Sequence, residues 1–270
     1  MTTEIRQGPW TRIRPLQRDE VDDYTAAAYS QAELTWGHFP NNLIKVMGHC
    51  PSLTMTEVPY ANSVIFDIDT FNAGHQWAGF LDRPLKELCI SRTSLFNRSR
   101  YSVTHHSFIG YSLFAKLGRE AEGHRKLLHL HEHDRHRDVY TARENACLDY
   151  CVMVARDAHE VEDSRFEQLR HELDLYNRGK ADGGEMTGFD LGFVEKWREY
   201  SPAQYQRLVD SQIVELTWLI GHFCLLNRWF TVLQVPDETA ADETDFSAAY
   251  QATVPQDIRE RNDSVLGGGF

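Results

Sequence analysis

Positive charge is scarce in this sequence. Its 28 Lys and Arg stand against 40 Asp and Glu, a formal net charge of −12. Binding to nucleic-acid phosphates needs clustered basic side chains, so a nucleic-acid partner is excluded on charge. An anionic membrane surface is disfavoured for the same reason. Cysteine is sparse as well: Cys50, Cys89, Cys147, Cys151 and Cys224 are odd in number and scattered through apolar stretches. That usage fits a reducing compartment better than a disulfide framework. No apolar run reaches the length of a membrane span, and the N-terminal "MTTEIRQGPWTRIRP" has no apolar signal-peptide core. A cytoplasmic location is therefore expected. Strand-like alternation is rare. A G-x-S-x-G elbow and a phosphate-cradling glycine loop are both missing.

What is present reads as helices. The composition is globular, 41% hydrophobic and 25% charged, and 270 residues are near the upper limit for one hydrophobic core. "RDEVDDYTAAAYSQAEL" opens with acids in its first turn, where the helix dipole favours them. In "NNLIKVMGHC" Asn42 is the expected cap, and Pro51 stops the segment. Pro59 interrupts the next stretch, so its helix is expected to start there. "DRPLKELCISRTSLF" has Asp82 and Pro84 at its start. A following helix spans about Ser99 to Leu117 and ends at Gly118. Thr141 and Glu144 have capping-box spacing ahead of "ACLDYCVMVA", where Cys147 and Cys151 share a face as buried small hydrophobes. "SRFEQLRHELDLY" continues the series, and "SPAQYQRLVDSQIVELTWLIGHFCLLNRWFTVLQV" reads as two helices, the second apolar on most sides and buried. Trp77, Trp197, Trp218 and Trp229 read as packing residues. The glycine-rich residues 177–193 read as an irregular insertion, and residues 236–270 as an acidic tail, mobile or docked on a neighbouring subunit. The expected organisation is a single all-α domain over residues 1–235 followed by that tail.

Chemistry concentrates in "NRSRYSVTHH", residues 97–106. On a helix, Ser99, Ser102 and His106 fall at i, i+3 and i+7 and share one stripe. Glu87 lies on the preceding helix, and a two-residue link lets it face that stripe. A histidine beside a carboxylate is a common general base near neutral pH, because the carboxylate orients the ring and stabilises its cation. The alternative is a polar helix start with serine as cap. A second concentration, "HRKLLHLHEHDRHRD", holds His124, His129, His131, His133 and His136. His129 and His133 have the spacing of a helical zinc pair. Glu132 is misplaced for H-E-x-x-H, and the interleaved Arg, Lys and Asp favour a solvated turn, so no metal ligand is assigned.

The stretch "RPLKELCISRTSLFNRSRYSVTHHSFIGYSLFAKLG" resembles the core of the carboxymuconolactone decarboxylase family, which includes alkyl hydroperoxidase D. Glu87 falls on the family's glutamate, Ser99 and Ser102 on its two cysteine positions and His106 on its histidine. Tyr101 falls on the tyrosine of the cysteine-less branch. "FPNNLIKVMGHCPSL", "YTARENACLDYCVMVA" and "DSQIVELTWLIGHFCLLNRW", with Glu215, Asn227 and Arg228, are similar to flanking family segments in the same order, so the resemblance covers about residues 35–235. It implies an all-α fold and a homo-oligomer, a trimer or hexamer or else a dimer.

The departures from the family pattern restrict the chemistry. Serine cannot replace a redox thiolate, and Ser102 stands where the decarboxylase branch has a glutamate. The expected function is a cofactor-independent lyase or isomerase acting on a small acidic or carbonyl molecule by decarboxylation, elimination or lactone rearrangement. His106 would be its acid/base, Glu87 would orient His106, and Tyr101, Ser99 and Ser102 would hydrogen-bond the substrate. Three alternatives stay open: a thiol peroxidase working through Cys89, Cys147 or Cys151, a non-catalytic binding relative, and a metal in the segment from His124 to His136.

Overall fold

The computed structural model describes residues 12–36, 41–65, 79–181, 200–240, 242 and 244–267, and the statements below concern these. They form helices without a strand. In chain order these are α1 (Asp23–Trp36), α2 (Asn42–Met47), α3 (Pro51–Ile65), α4 (Arg83–Phe96), α5 (Arg100–Lys116), α6 (Glu120–His129), α7 (Ala142–Arg156), α8 (Asp163–Ala181), α9 (Pro202–Leu233), α10 (Phe246–Thr253) and α11 (Gln256–Leu266).

At the centre is α4, packed against α5, α7 and α9. Asp82 caps its start by accepting from Leu85 N at 3.1 Å, and Pro84 takes a first-turn position that needs no amide hydrogen. Every residue from Pro84 to Leu95 is buried, charged ones included. A buried charge is tolerated only when paired. Lys86 meets Glu215 at 2.5 Å, Glu87 meets Arg83 and His106, and Arg92 donates to His133 at 3.0 Å. Glu215 also accepts from the amides of Phe80 and Leu81 at 2.6 and 2.9 Å, which ties α9 to the chain entering α4.

The turn from α4 into α5 is set by backbone bonds. Arg98 N donates to Leu95 O and Ser99 N to Ser94 O, the paired bonds of a Schellman ending, with Arg98 at φ 53 in the left-handed position. Ser99 is then the N-cap residue of α5. The same ending recurs after α5, where Gly118 holds the left-handed position at φ 69.

Five expectations about the elements need correction. Asn41, not Asn42, caps α2; Asn42 lies inside and donates to Glu238 and Pro236. Pro51 opens α3 and Pro59 sits within it, because a proline already at the first turn supplies the start. The stretch read as two helices is one 32-residue helix, roughly 48 Å long, framed by a Ser201–Gln204 capping box and a left-handed Gln234. Gly221 lies inside it without breaking it. Trp218 on α9 is 55% exposed rather than packed. Trp77 and Trp197 lie outside the described residues, as do 182–193 of the expected insertion; residues 177–181 continue α8, with Asn177 buried against Gln212.

The fifth correction concerns residues 236–270. Within this chain, α10 packs on α5 and α11 on α6. The stretch is acid-rich, but Phe246, Val254, Ile258 and Leu266 are all buried. Each fully buried apolar side chain contributes about 1.5–3 kcal/mol, enough to dock a short segment on its own chain.

Candidate functional site

The two adjacent histidines of α5 have different surroundings. His106 faces α4, where its Nδ1 is 2.7 Å from Glu87 Oε2. The other carboxylate oxygen accepts from Arg83 Nε at 2.5 Å, one helical turn earlier. Burial pushes the Glu87 carboxyl up, but Arg83 and His106 together outweigh it and hold it below its ordinary value. An ionised Glu87 requires Nδ1 of His106 to carry hydrogen, which leaves the lone pair on Nε2. Among the described residues no protein group bonds that Nε2, and the ring packs edge-on against Phe223 of α9 at 4.8 Å.

His105 faces the other way. Its Nδ1 lies 2.8 Å from Tyr101 O and its Nε2 lies 2.9 Å from Glu238 Oε2. Both partners accept, so the surroundings favour the cation, in which both ring nitrogens donate. Burial lowers its pKa, yet Glu238 and then Asp237 raise it above the ordinary value. In that form His105 has no lone pair for base chemistry. It holds the C-terminal segment instead, stacking on Phe246 at 3.9 Å.

The hydroxyls of the stripe are buried among protein partners. Tyr101 donates to Glu238 at 2.9 Å and accepts from Leu43 N at 3.2 Å. Its pKa lies well above the usual range, first through burial and then through Glu238. Ser102 shares a 2.8 Å hydrogen bond with Ser94, which in turn donates to Asn227 of α9 at 3.3 Å. Ser99 makes no side-chain cap bond, and its Oγ is buried without a partner. The structure thus joins Glu87 to His106, and places Tyr101 and Ser102 in packing contacts.

Two elements were not read from the sequence. Arg83 lay in plain view at i−4 from Glu87, the spacing of a helical ion pair. Glu57 and His222 come from distant helices and had no local signal; Nε2 of His222 is 3.2 Å from Glu57 Oε1, and both are buried. A cleft of about 530 Å³ opens at His222, lined also by Tyr60, Tyr150 and Trp218 among others. Phe223 touches both histidines, His106 at 4.8 Å and His222 at 5.4 Å.

Three thiols gather in the core. Cys89, Cys147 and Cys151 are all buried. The Cys89 thiol is pushed well up, first by its hydrogen bond with Cys151 and then by burial; burial also raises Cys147. Such thiols stay protonated at neutral pH, whereas a peroxidatic cysteine must be a thiolate.

The arrangement of α4, α5 and α9 has relatives among solved structures. A peroxidase-related protein from Ralstonia eutropha, described as an alkylhydroperoxidase AhpD core, superposes with a TM-score of 0.56 at 16% identity over 86% of this chain and 94% of that one. The fold is that of the alkylhydroperoxidase D core. A peroxidase-related protein from Silicibacter sp. shares it, with a TM-score of 0.57 at 16% identity over 90% of this chain and 99% of its own. So does the debrominase Bmp8, with a TM-score of 0.53 at 18% identity over 90% and 96%. No family profile matches the sequence, and no curated protein matches it. The alkylhydroperoxidase D-like fold is therefore secure from shape, and chemistry must be argued from the side chains.

The histidine-rich segment also differs from its expected form. His133 is not paired with His129. It turns inward, accepting from Arg92 at 3.0 Å and lying 2.9 Å from Asp149. The helix ends at His129, and Glu132 leaves helical geometry at φ −127, ψ 40, so the four-residue spacing no longer places side chains together. His136 comes beside His129 instead, the rings stacked at 4.0 Å.

Proposed function

We propose that this protein is a cofactor-independent acid/base enzyme, a lyase or isomerase for a small acidic or carbonyl substrate. The observation that carries the reading is the relay Arg83–Glu87–His106 around a buried Glu87, with the imidazole lone pair directed away from the carboxylate. Nε2 of His106 removes a proton from carbon next to a carbonyl. Glu87 stabilises the resulting imidazolium, and Arg83 keeps Glu87 ionised so that the proton stays on the ring. In an isomerisation the same nitrogen returns the proton to another carbon; in an elimination it delivers the proton to the departing group as the carbon–leaving-group bond breaks; in a decarboxylation the C–CO2 bond breaks first and protonated His106 supplies the proton to the resulting carbanion. Ser99 supplies the one hydroxyl of the stripe not engaged by protein, while Tyr101 and Ser102 position the helix. The debrominase and the peroxidase-related proteins show only that this fold accompanies varied chemistry. Serines at both cysteine positions of the resemblance, together with the raised pKa of the Cys89 and Cys147 thiols, stand against a thiol peroxidase.

A second reading places the same chemistry at His222 and Glu57, because His222 lines the apolar cleft. Exchange of solvent deuterium into the α-carbon of a panel of small oxo acids and lactones, followed by NMR, separates the two. Exchange lost in His106→Ala and kept in His222→Ala supports the first reading. The opposite pattern supports the second, and full exchange in both variants refutes acid/base catalysis at either.

We also propose a homo-oligomer assembled through α9. Val214, Trp218, Leu225 and Val232 are 67%, 55%, 62% and 58% exposed and recur at spacings of a coiled-coil seam. A stripe of this kind on the exposed side of α9 supports an association surface.

A further inference from the structure

We propose a zinc-binding site formed by His129, Glu132 and His136, separate from the Glu87–His106 pair. One donor atom from each of these three side chains lies within 4.8 Å of the others. Two imidazoles and one carboxylate are a three-ligand set that suits Zn²⁺ and leaves a fourth position for water.

The distances favour coordination over hydrogen bonding. Zinc bonds of about 2.0–2.1 Å in a tetrahedron separate neighbouring donors by about 3.4 Å. His136 Nε2 stands 3.6 Å from Glu132 Oε1, too long for a good hydrogen bond and close to that tetrahedral edge. The His129 and His136 rings lie side by side, stacked within 29° of parallel at 4.0 Å. His129 Nδ1 is buried with no hydrogen-bond partner. A buried ring nitrogen without a partner is uncommon and asks for a reason. A zinc ion bound through Nδ1 would give that nitrogen its partner.

The backbone builds this geometry. The end of α6, the non-helical Glu132 and the turn at His136 fold one short segment back on itself. Three further groups border the site. His131 Nε2 lies 3.3 Å from Glu132 Oε1, Arg135 lies 3.4 Å from Oε2, and Arg261 of α11 lies 4.0 Å from Oε1. The two arginines compete with a cation for the carboxylate, so Arg261 restrains metal affinity. Binding would also loosen the grip of Arg261 on Glu132, which couples the site to α11.

The test is zinc titration of untagged, chelator-stripped full-length protein by calorimetry, with competition from a chromophoric chelator. The expected result is one Zn²⁺ per chain, weakened about tenfold or more in His129→Ala and in His136→Gln. Affinity should be unchanged in His124→Ala, whose ring pairs with Asp257, and in His106→Ala. Arg261→Ala should tighten binding. His136 is 35% exposed at its side chain, so His136→Gln keeps its fold and decides the matter if His129→Ala does not. Absence of binding heat, or equal binding by wild type and His136→Gln, overturns the site. Because His106→Ala belongs to a separate pair, failure here leaves the acid/base reading standing.

Discussion

Glu87→Gln tests the relay most directly. Glu87 is fully buried and accepts from Arg83 at 2.5 Å and from His106 at 2.7 Å. Glutamine has the same shape but only one acceptor oxygen. Its oxygen can accept from Arg83, but towards His106 it offers an N–H, so the ring must switch to the tautomer with its hydrogen on Nε2. The charge-assisted bond to His106 becomes a neutral one and the ion pair with Arg83 is lost, each charge-assisted bond being worth about 1.5–3 kcal/mol. Because Arg83 is partly solvated, the expected loss is about 3 kcal/mol, at the low end for a broken buried ion pair. The loss should depend on pH. The folded pKa of Glu87 lies below the ordinary 4.5, so its stabilisation is full above that value and disappears as pH falls through the depressed one. Urea unfolding of wild type and variant at neutral pH, then in steps below pH 4.5, measures this difference. The gap should close on acidification. A variant as stable as wild type at neutral pH, or a deficit unchanged with pH, would refute the buried pair.

Further outcomes are expected elsewhere. Glu238→Ala removes the acceptor shared by Tyr101, His105 and the Asn42 amide, costing about 3–5 kcal/mol. Limited proteolysis should then cut within residues 236–267, which wild type protects. The His105 contribution to this clamp is full below the ordinary 6.5 and is lost as pH rises through its raised folded value, so wild-type tail protection should weaken there. Iodoacetamide should modify exposed Cys50 first and leave Cys89, Cys147 and Cys151 intact until denaturation, as read by intact mass. Arg98→Gly relieves a left-handed φ of 53 and should raise stability by up to about 1 kcal/mol in the same urea assay. Trp218→Asp should shift the mass by light scattering towards that of the 31.2 kDa chain if α9 forms the interface.

Several features were legible because their cause is local. Asp82 and Pro84 open α4, Thr141 with Glu144 opens α7, and Gly118 closes α5. Each depends on neighbours within a turn. The readings that failed needed a choice between local options. Asn41 and Asn42 are equivalent as caps in sequence, and only the distant Glu238 and Pro236 claim Asn42 for the interior. Gly221 and Pro59 fail to divide helices because packing along the helix outweighs a local penalty of about 1 kcal/mol for glycine and about 3 kcal/mol for proline.

The facing of Glu87 and His106 was contained in the sequence by itself, through helical spacing and a link too short to separate two helices. So was the absence of a redox thiol from the stripe, which is a matter of residue identity. Tertiary structure alone decided which hydroxyls are occupied, since Tyr101 meets Glu238 across 137 residues and Ser94, bonded to Ser102, meets Asn227 across 133. It also separated the neighbouring histidines. His105 and His106 are chemically identical in the chain and differ only because adjacent helix positions point about 100° apart, one towards two acceptors and the other towards a single carboxylate.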